Sequence, residues 1–214
     1  MRFELFFILL LTVISTKASE TDAARKRWAE SPHGPLLERI LPPGFDADML
    51  PESGSRGAQL TLRYCVQCHN LANPAMHEAR KWPRIVERMV LRMQGRGNMG
   101  RLMADMMAGV DAPDPEETKL LLAYLRKYAQ KPLDAARYPE VNTPAGESFR
   151  LACGQCHVLP DPRRHTAAEW PAVVARMQKN MEWMNRVVGS KPVPGEPQLN
   201  VDAINAFLAR RARQ

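Results

Sequence analysis

The stretch Tyr64-Cys65-Val66-Gln67-Cys68-His69 returns 88 residues later as Ala152-Cys153-Gly154-Gln155-Cys156-His157. At the same offset Pro74 falls on Pro162, His77 on His165, Trp82-Pro83 on Trp170-Pro171, Val86 on Val174, Arg88-Met89 on Arg176-Met177 and Met93 on Met181. Further on the offset drops to 83, and Leu121-Leu122-Ala123-Tyr124-Leu125 aligns with Ile204-Asn205-Ala206-Phe207-Leu208. An insertion of about five residues in the first copy accounts for the change. Two long copies are two homologous modules rather than a solenoid, since each is large enough to build a small core around a cofactor.

Working outward, the Pro- and Gly-rich stretch from Pro42 to Gly57 separates an N-terminal extension from the first module. Pro132, Pro139 and Pro144 interrupt helical patterning between the modules. Within the first module, Gly57 to Tyr64 leads into the motif as a candidate helix. Trp82 to Met93 has Pro at a permitted early helical position and Ile85, Val86, Met89, Val90 and Met93 at helical spacing. Pro115 to Tyr128 opens on Pro-Glu-Glu and carries Leu121, Leu122, Leu125 and Tyr128 on one side. No stretch shows sustained strand alternation, so the expected class is all-α.

At the N-terminus, Arg2 precedes an apolar run from Leu5 to Ile14 and the triplet Thr16-Lys17-Ala18, the pattern of an export signal. The run is well short of the roughly 20 residues a spanning helix needs, so cleavage after Ala18 is expected rather than a permanent anchor. The expected division is therefore 1–18 signal peptide, 19–56 extension, 57–130 first domain, 131–144 linker and 145–214 second domain. Losing Arg2, Lys17 and Glu4 with the signal lowers the formal charge of +7 by one. A basic exported protein suits an acidic partner protein or an anionic surface, and export disfavours nucleic acid.

The four cysteines all fall in two Cys-x-x-Cys-His motifs, the attachment signal for c-type haem. Two thiols at this spacing reach both vinyl groups of one porphyrin as thioethers, and the adjacent His places an imidazole nitrogen under the iron. Cys65, Cys68 and His69 are thus expected to hold one covalent haem, and Cys153, Cys156 and His157 the other. A zinc ribbon would set its Cys pairs roughly 15 to 20 residues apart, whereas 84 residues lie between Cys68 and Cys153. A thioredoxin-like pair would need a βαβ setting, and disulfides need no His after each second Cys.

Several repeated residues compete for the sixth position on each iron. Met raises the reduction potential there relative to His. Met89 and Met177 lie 20 residues after their His, and Met93 and Met181 one turn later on the same helix side. His77 and His165 lie eight residues after the proximal His, a span of at most about 26 to 29 Å, enough to round a haem edge. Trp82 and Trp170 can pack on the ring or donate to a propionate, or they are plain core; Arg88 and Arg176 are propionate partners or solvated helix positions. Met99, Met103, Met106 and Met107 cluster in the first copy alone, as soft-metal donors or as packing.

With both motifs and the repeated Trp-Pro-x-x-Val-x-x-Arg-Met run in view, residues 55 to 214 resemble the proteobacterial dihaem c-type cytochromes of the cytochrome c superfamily. The resemblance implies two tandem cytochrome c-like helical domains, each enclosing one haem. It gives the run Trp170-Pro171-Ala172-Val173-Val174-Ala175-Arg176-Met177 as the distal-ligand helix, with Met177 and, at the matching position, Met89 as ligands. It also implies a periplasmic electron carrier passing single electrons between redox partner proteins. The alternatives are a cytochrome subunit of a periplasmic dehydrogenase and a dihaem enzyme such as a peroxidase, which would need an open coordination site.

Overall fold

The computed structural model describes residues 43–97, 107–188 and 200–214, with positions 26, 29, 30, 32, 34–36, 100, 101 and 104. The expected signal peptide and Met99, Met103 and Met106 lie outside the described residues. Six α-helices carry the fold among the described residues: α1 (Arg56–Cys65), α2 (Trp82–Met93), α3 (Pro115–Lys127), α4 (Pro144–Cys153), α5 (Trp170–Val188) and α6 (Val201–Ala209). There is no strand among them, only three isolated bridges. The all-α expectation holds.

The internal repeat extends to the element ends. Shifted by 88 residues, α1 falls on α4 at both ends, the 3₁₀ turn Pro74–Met76 falls on Pro162–Arg164, and the start of α2 falls on the start of α5. Even the bridges follow, Glu78 with Gln130 answering to Thr166 with Arg213. Each is closed by the same bond, Gln130 N–H to His77 O and Arg213 N–H to His165 O, both 2.9 Å.

Local chemistry fixes where these helices begin. Ser55 Oγ accepts from Ala58 N–H ahead of α1 (3.3 Å), Asp114 Oδ1 from Glu117 N–H ahead of α3 (2.8 Å), and Asn200 Oδ1 from Ala203 N–H ahead of α6 (2.9 Å). Proline occupies the first turn of α2, α3 and α4, where its missing N–H costs nothing. Helix α3 also has Glu116 and Glu117 in its first turn and Arg126 and Lys127 in its last, matching the helix dipole.

The two copies differ at the end of the second helix. Gly95, at φ +68°, closes α2 in a Schellman turn, with Arg96 N–H on Leu91 O (2.7 Å) and Gly95 N–H on Arg92 O (2.9 Å). The matching residue in the second copy is Trp183, which disfavours that backbone conformation, and α5 runs on to Val188.

Cα proximity groups the chain into two compact units, one of the described residues up to Asn73 with Arg80–Tyr128, the other of Pro74–Ala79 with Ala129–Gln214. In the first, α1 and α2 both pack on α3, around buried Leu60, Tyr64, Trp82, Val86, Leu121, Tyr124 and Leu125. Gly57 makes the α1–α3 approach possible, since a Cβ there would stand 2.4 Å from Tyr124 Cβ. In the second, Tyr138, Val141, Phe149, Trp170, Val174, Ile204, Phe207 and Leu208 form one core. Phe149 stacks on Phe207 with centroids 5.0 Å apart, joining α4 to α6.

Candidate haem-attachment sites

Each motif begins on the last residue of a helix. Cys65 ends α1 and Cys153 ends α4, so a packed helix fixes the first thiol and the following turn carries the second thiol and the His. All four thiols are free. Burial pushes Cys65 up to about 12, and Cys68 and Cys153 up to about 11, so these sulfurs stay neutral near pH 7. Among the described residues no three His, Cys, Asp or Glu side chains cluster as a metal site.

The imidazoles behave alike in both copies. His69 Nδ1 lies 2.7 Å from Asn70 O, and His157 Nδ1 lies 2.8 Å from Val158 O. A carbonyl can only accept, so the proton sits on Nδ1 and the Nε2 lone pair is left for a metal. This is the usual outer contact of a ligating histidine.

What holds each motif differs. In the first, buried Gln67 donates from Nε2 to Asp111 O (2.9 Å) and accepts at Oε1 from Asp111 N–H (2.8 Å), pinning the turn between the two cysteines. Arg63 pairs with the Asp111 carboxylate, Arg56 Nη2 donates to Glu117 Oε1 (2.7 Å), and Tyr64 OH donates to Glu117 Oε2. Burial first, and then that hydrogen bond, raises the Tyr64 phenol above its ordinary range. Cys68 Sγ lies 3.8 Å from Met107 Sδ, so buried Met107 packs against the motif. In the second, Gln155 is exposed and its Nε2 donates to Leu151 O of the preceding helix (3.0 Å). Gln130 supplies the clamp instead, donating from Nε2 to Val158 O (2.6 Å) with that nitrogen 3.2 Å from His157 Nδ1.

Met89 and Met93 stand on α2, and Met177 and Met181 on α5, all half-buried. The His165 ring meets Trp170 edge to face with centroids 4.8 Å apart, and its Nδ1 lies 3.9 Å from Glu169 Oε2. Burial, more than the Arg164 charge beside it, lowers the His165 pKa. Trp170 is buried and its indole N–H is spent on Pro162 O (2.8 Å), which makes it a core residue and takes it out of the propionate role. Arg88 is exposed, whereas Arg176 is half-buried and its pKa is lowered by burial.

In the second unit, Trp183 Nε1 and Asn205 Oδ1 are buried polar atoms without a hydrogen-bond partner among the described residues. Buried polar groups are nearly always satisfied. A bound group carrying an acceptor, such as a haem carboxylate, would satisfy the Trp183 indole N–H, whereas Asn205 Oδ1 would need a donor. With free thiols and Nδ1-protonated histidines, the residues present fit a haem c in each copy. Sequence reasoning missed Gln130, Trp183 and Asn205; the only local signal was Gly95 giving way to Trp183. Comparison of the chain with protein-family models, with curated proteins and with solved structures returned no match.

Proposed function

We propose that this protein is an exported dihaem cytochrome c that carries single electrons between redox partner proteins. One observation carries the reading: two Cys-x-x-Cys-His motifs, each launched from a helix end and each with its His bonded through Nδ1 to the next carbonyl. When bound, haem supplies a one-electron Fe(III)/Fe(II) couple whose potential follows its axial ligands and surroundings.

The chain's own residues do the rest. Cys65 with Cys68, and Cys153 with Cys156, would each hold one haem through thioether bonds. His69 and His157 present Nε2, held in that tautomer by Asn70 O and Val158 O. Met89 on α2 and Met177 on α5 would supply thioether ligands to the bound groups, a ligand type that raises the reduction potential and suits electron carriage. Among the described residues no helix is long and apolar enough to cross a membrane, which suits a protein that meets its partners in an aqueous compartment.

The test is expression with a cytochrome c maturation system, followed by haem quantitation and absorption spectra. Two covalent haems per chain are expected, falling to one in Cys153→Ala/Cys156→Ala. Met89→Ala and Met177→Ala should each remove half of the long-wavelength band that Met–Fe(III) ligation produces. Met93→Ala and Met181→Ala should keep it. No covalent haem in the wild type would end the proposal, and an unchanged band in the first two variants would remove Met89 and Met177 as ligands.

A further inference from the structure

Helix α2 carries arginine at every fourth position, Arg84, Arg88 and Arg92, and Arg96 continues the row past the glycine turn. The four line an open groove of about 290 Å³, together with Leu91 and a single acid, Glu87. Arg84, Arg88 and Arg96 are exposed and Arg92 is half-buried. None of the four makes an ion pair among the described residues, although other arginines of this unit, Arg56 and Arg63, are paired. Like charges one turn apart destabilise a helix by a few tenths of a kcal/mol per pair, so the fold itself gains nothing from the row.

The second copy lacks it. Its matching positions are Ala172, Arg176, Asn180 and Met184, and the one arginine retained there is half-buried. The row therefore belongs to the first copy and not to the scaffold that both share.

Its spacing says what would fit. The stems of Arg84, Arg88 and Arg92 rise about 6 Å apiece along the helix, close to the roughly 6.7 Å between same-face side chains of an extended strand, and Arg96 stands beyond the helix end. A small oxyanion fills one gap and leaves the others; a run of carboxylates on a protein surface pairs with all of them. Arginine forks donate to both oxygens of a carboxylate at once, and a groove of one sign draws such a partner in.

We propose that the groove along α2 docks an acidic segment of a partner protein, with carboxylates on Arg84, Arg92 and Arg96. This goes beyond the electron-carrier reading and does not depend on it, because the binding can be read without any electron moving.

The test uses the full holoprotein and a fluorescein-labelled peptide of about eight glutamates, followed by anisotropy across a salt series. Arg84→Gln/Arg92→Gln/Arg96→Gln spares Arg88, which stands beside a candidate ligand. Arg126→Gln/Arg137→Gln/Arg150→Gln removes the same charge from exposed positions elsewhere. The groove variant should weaken binding about tenfold and flatten its salt dependence, and the control should lose less than about threefold. Equal losses in both variants, or no binding by the wild type, would overturn the proposal. So would a groove variant that keeps the peptide yet loses binding to phosphatidylserine vesicles, since the row would then read a membrane.

Discussion

Gln67 sits between the two thiols of the first motif and spends both ends of its amide on the main chain of Asp111, 44 residues away. Removing that amide leaves a buried N–H and C=O without partners. Gln67→Ala should therefore cost about 1–3 kcal/mol, read as a fall in the denaturation midpoint, and should lower haem incorporation at Cys65 and Cys68 before it does at Cys153 and Cys156. An unchanged midpoint would make the clamp incidental. Gln155 holds the same place in the second motif yet is exposed, so residue identity alone could not tell the clamp from a solvated side chain. The cysteines and histidines were legible because their chemistry depends on local spacing. Gln67 and Gln130 were not, because their partners are set by how distant segments pack.

Gly57 shows the same limit at the level of helices. A Cβ at this position would stand 2.4 Å from the Cβ of Tyr124 and 2.7 Å from its Cγ, atoms near the backbone that cannot swing away. Gly57→Ala gains up to about 1 kcal/mol of helix propensity, but parting α1 from α3 costs about 1–3 kcal/mol. A lower melting temperature is expected by calorimetry, and a higher one would mean the helices have room. In the second copy the tight glycine moves one place, to Gly146, because α4 there meets the main chain of Glu140 and Val141. The bounds of α2 could be read from Pro83 and from the apolar spacing as far as Met93. The added length of α5 could not be read from matched positions, since it arises where Trp183 replaces the glycine of the Schellman turn.

For the whole molecule, the all-α class followed from the absence of alternation, and the repeat carried over to helix ends and bridges. Packing within each unit rests on long-range pairs such as Phe149 with Phe207, which no local pattern announces. Three carboxylates on helix ends and turns titrate below the ordinary range. Glu52 is held down by the Lys127 ammonium, Glu140 by its own backbone N–H and then Arg211, and Glu169 by the Thr166 N–H. A carboxyl depressed in the folded state adds stability above its unfolded value, near pH 4.3, that is lost as pH falls through the folded one. The melting temperature should therefore hold above about pH 5 and decline below about pH 4, and Glu140→Gln should make that decline shallower; a parallel curve would discount the Arg211 pair. The proposed function is electron carriage by two six-coordinate haems. Anaerobic titration of the holoprotein with dithionite, followed by absorbance, tests this directly. Uptake of two electrons per chain with low-spin spectra in both states is expected; a high-spin iron, or fewer than two electrons accepted, would contradict it.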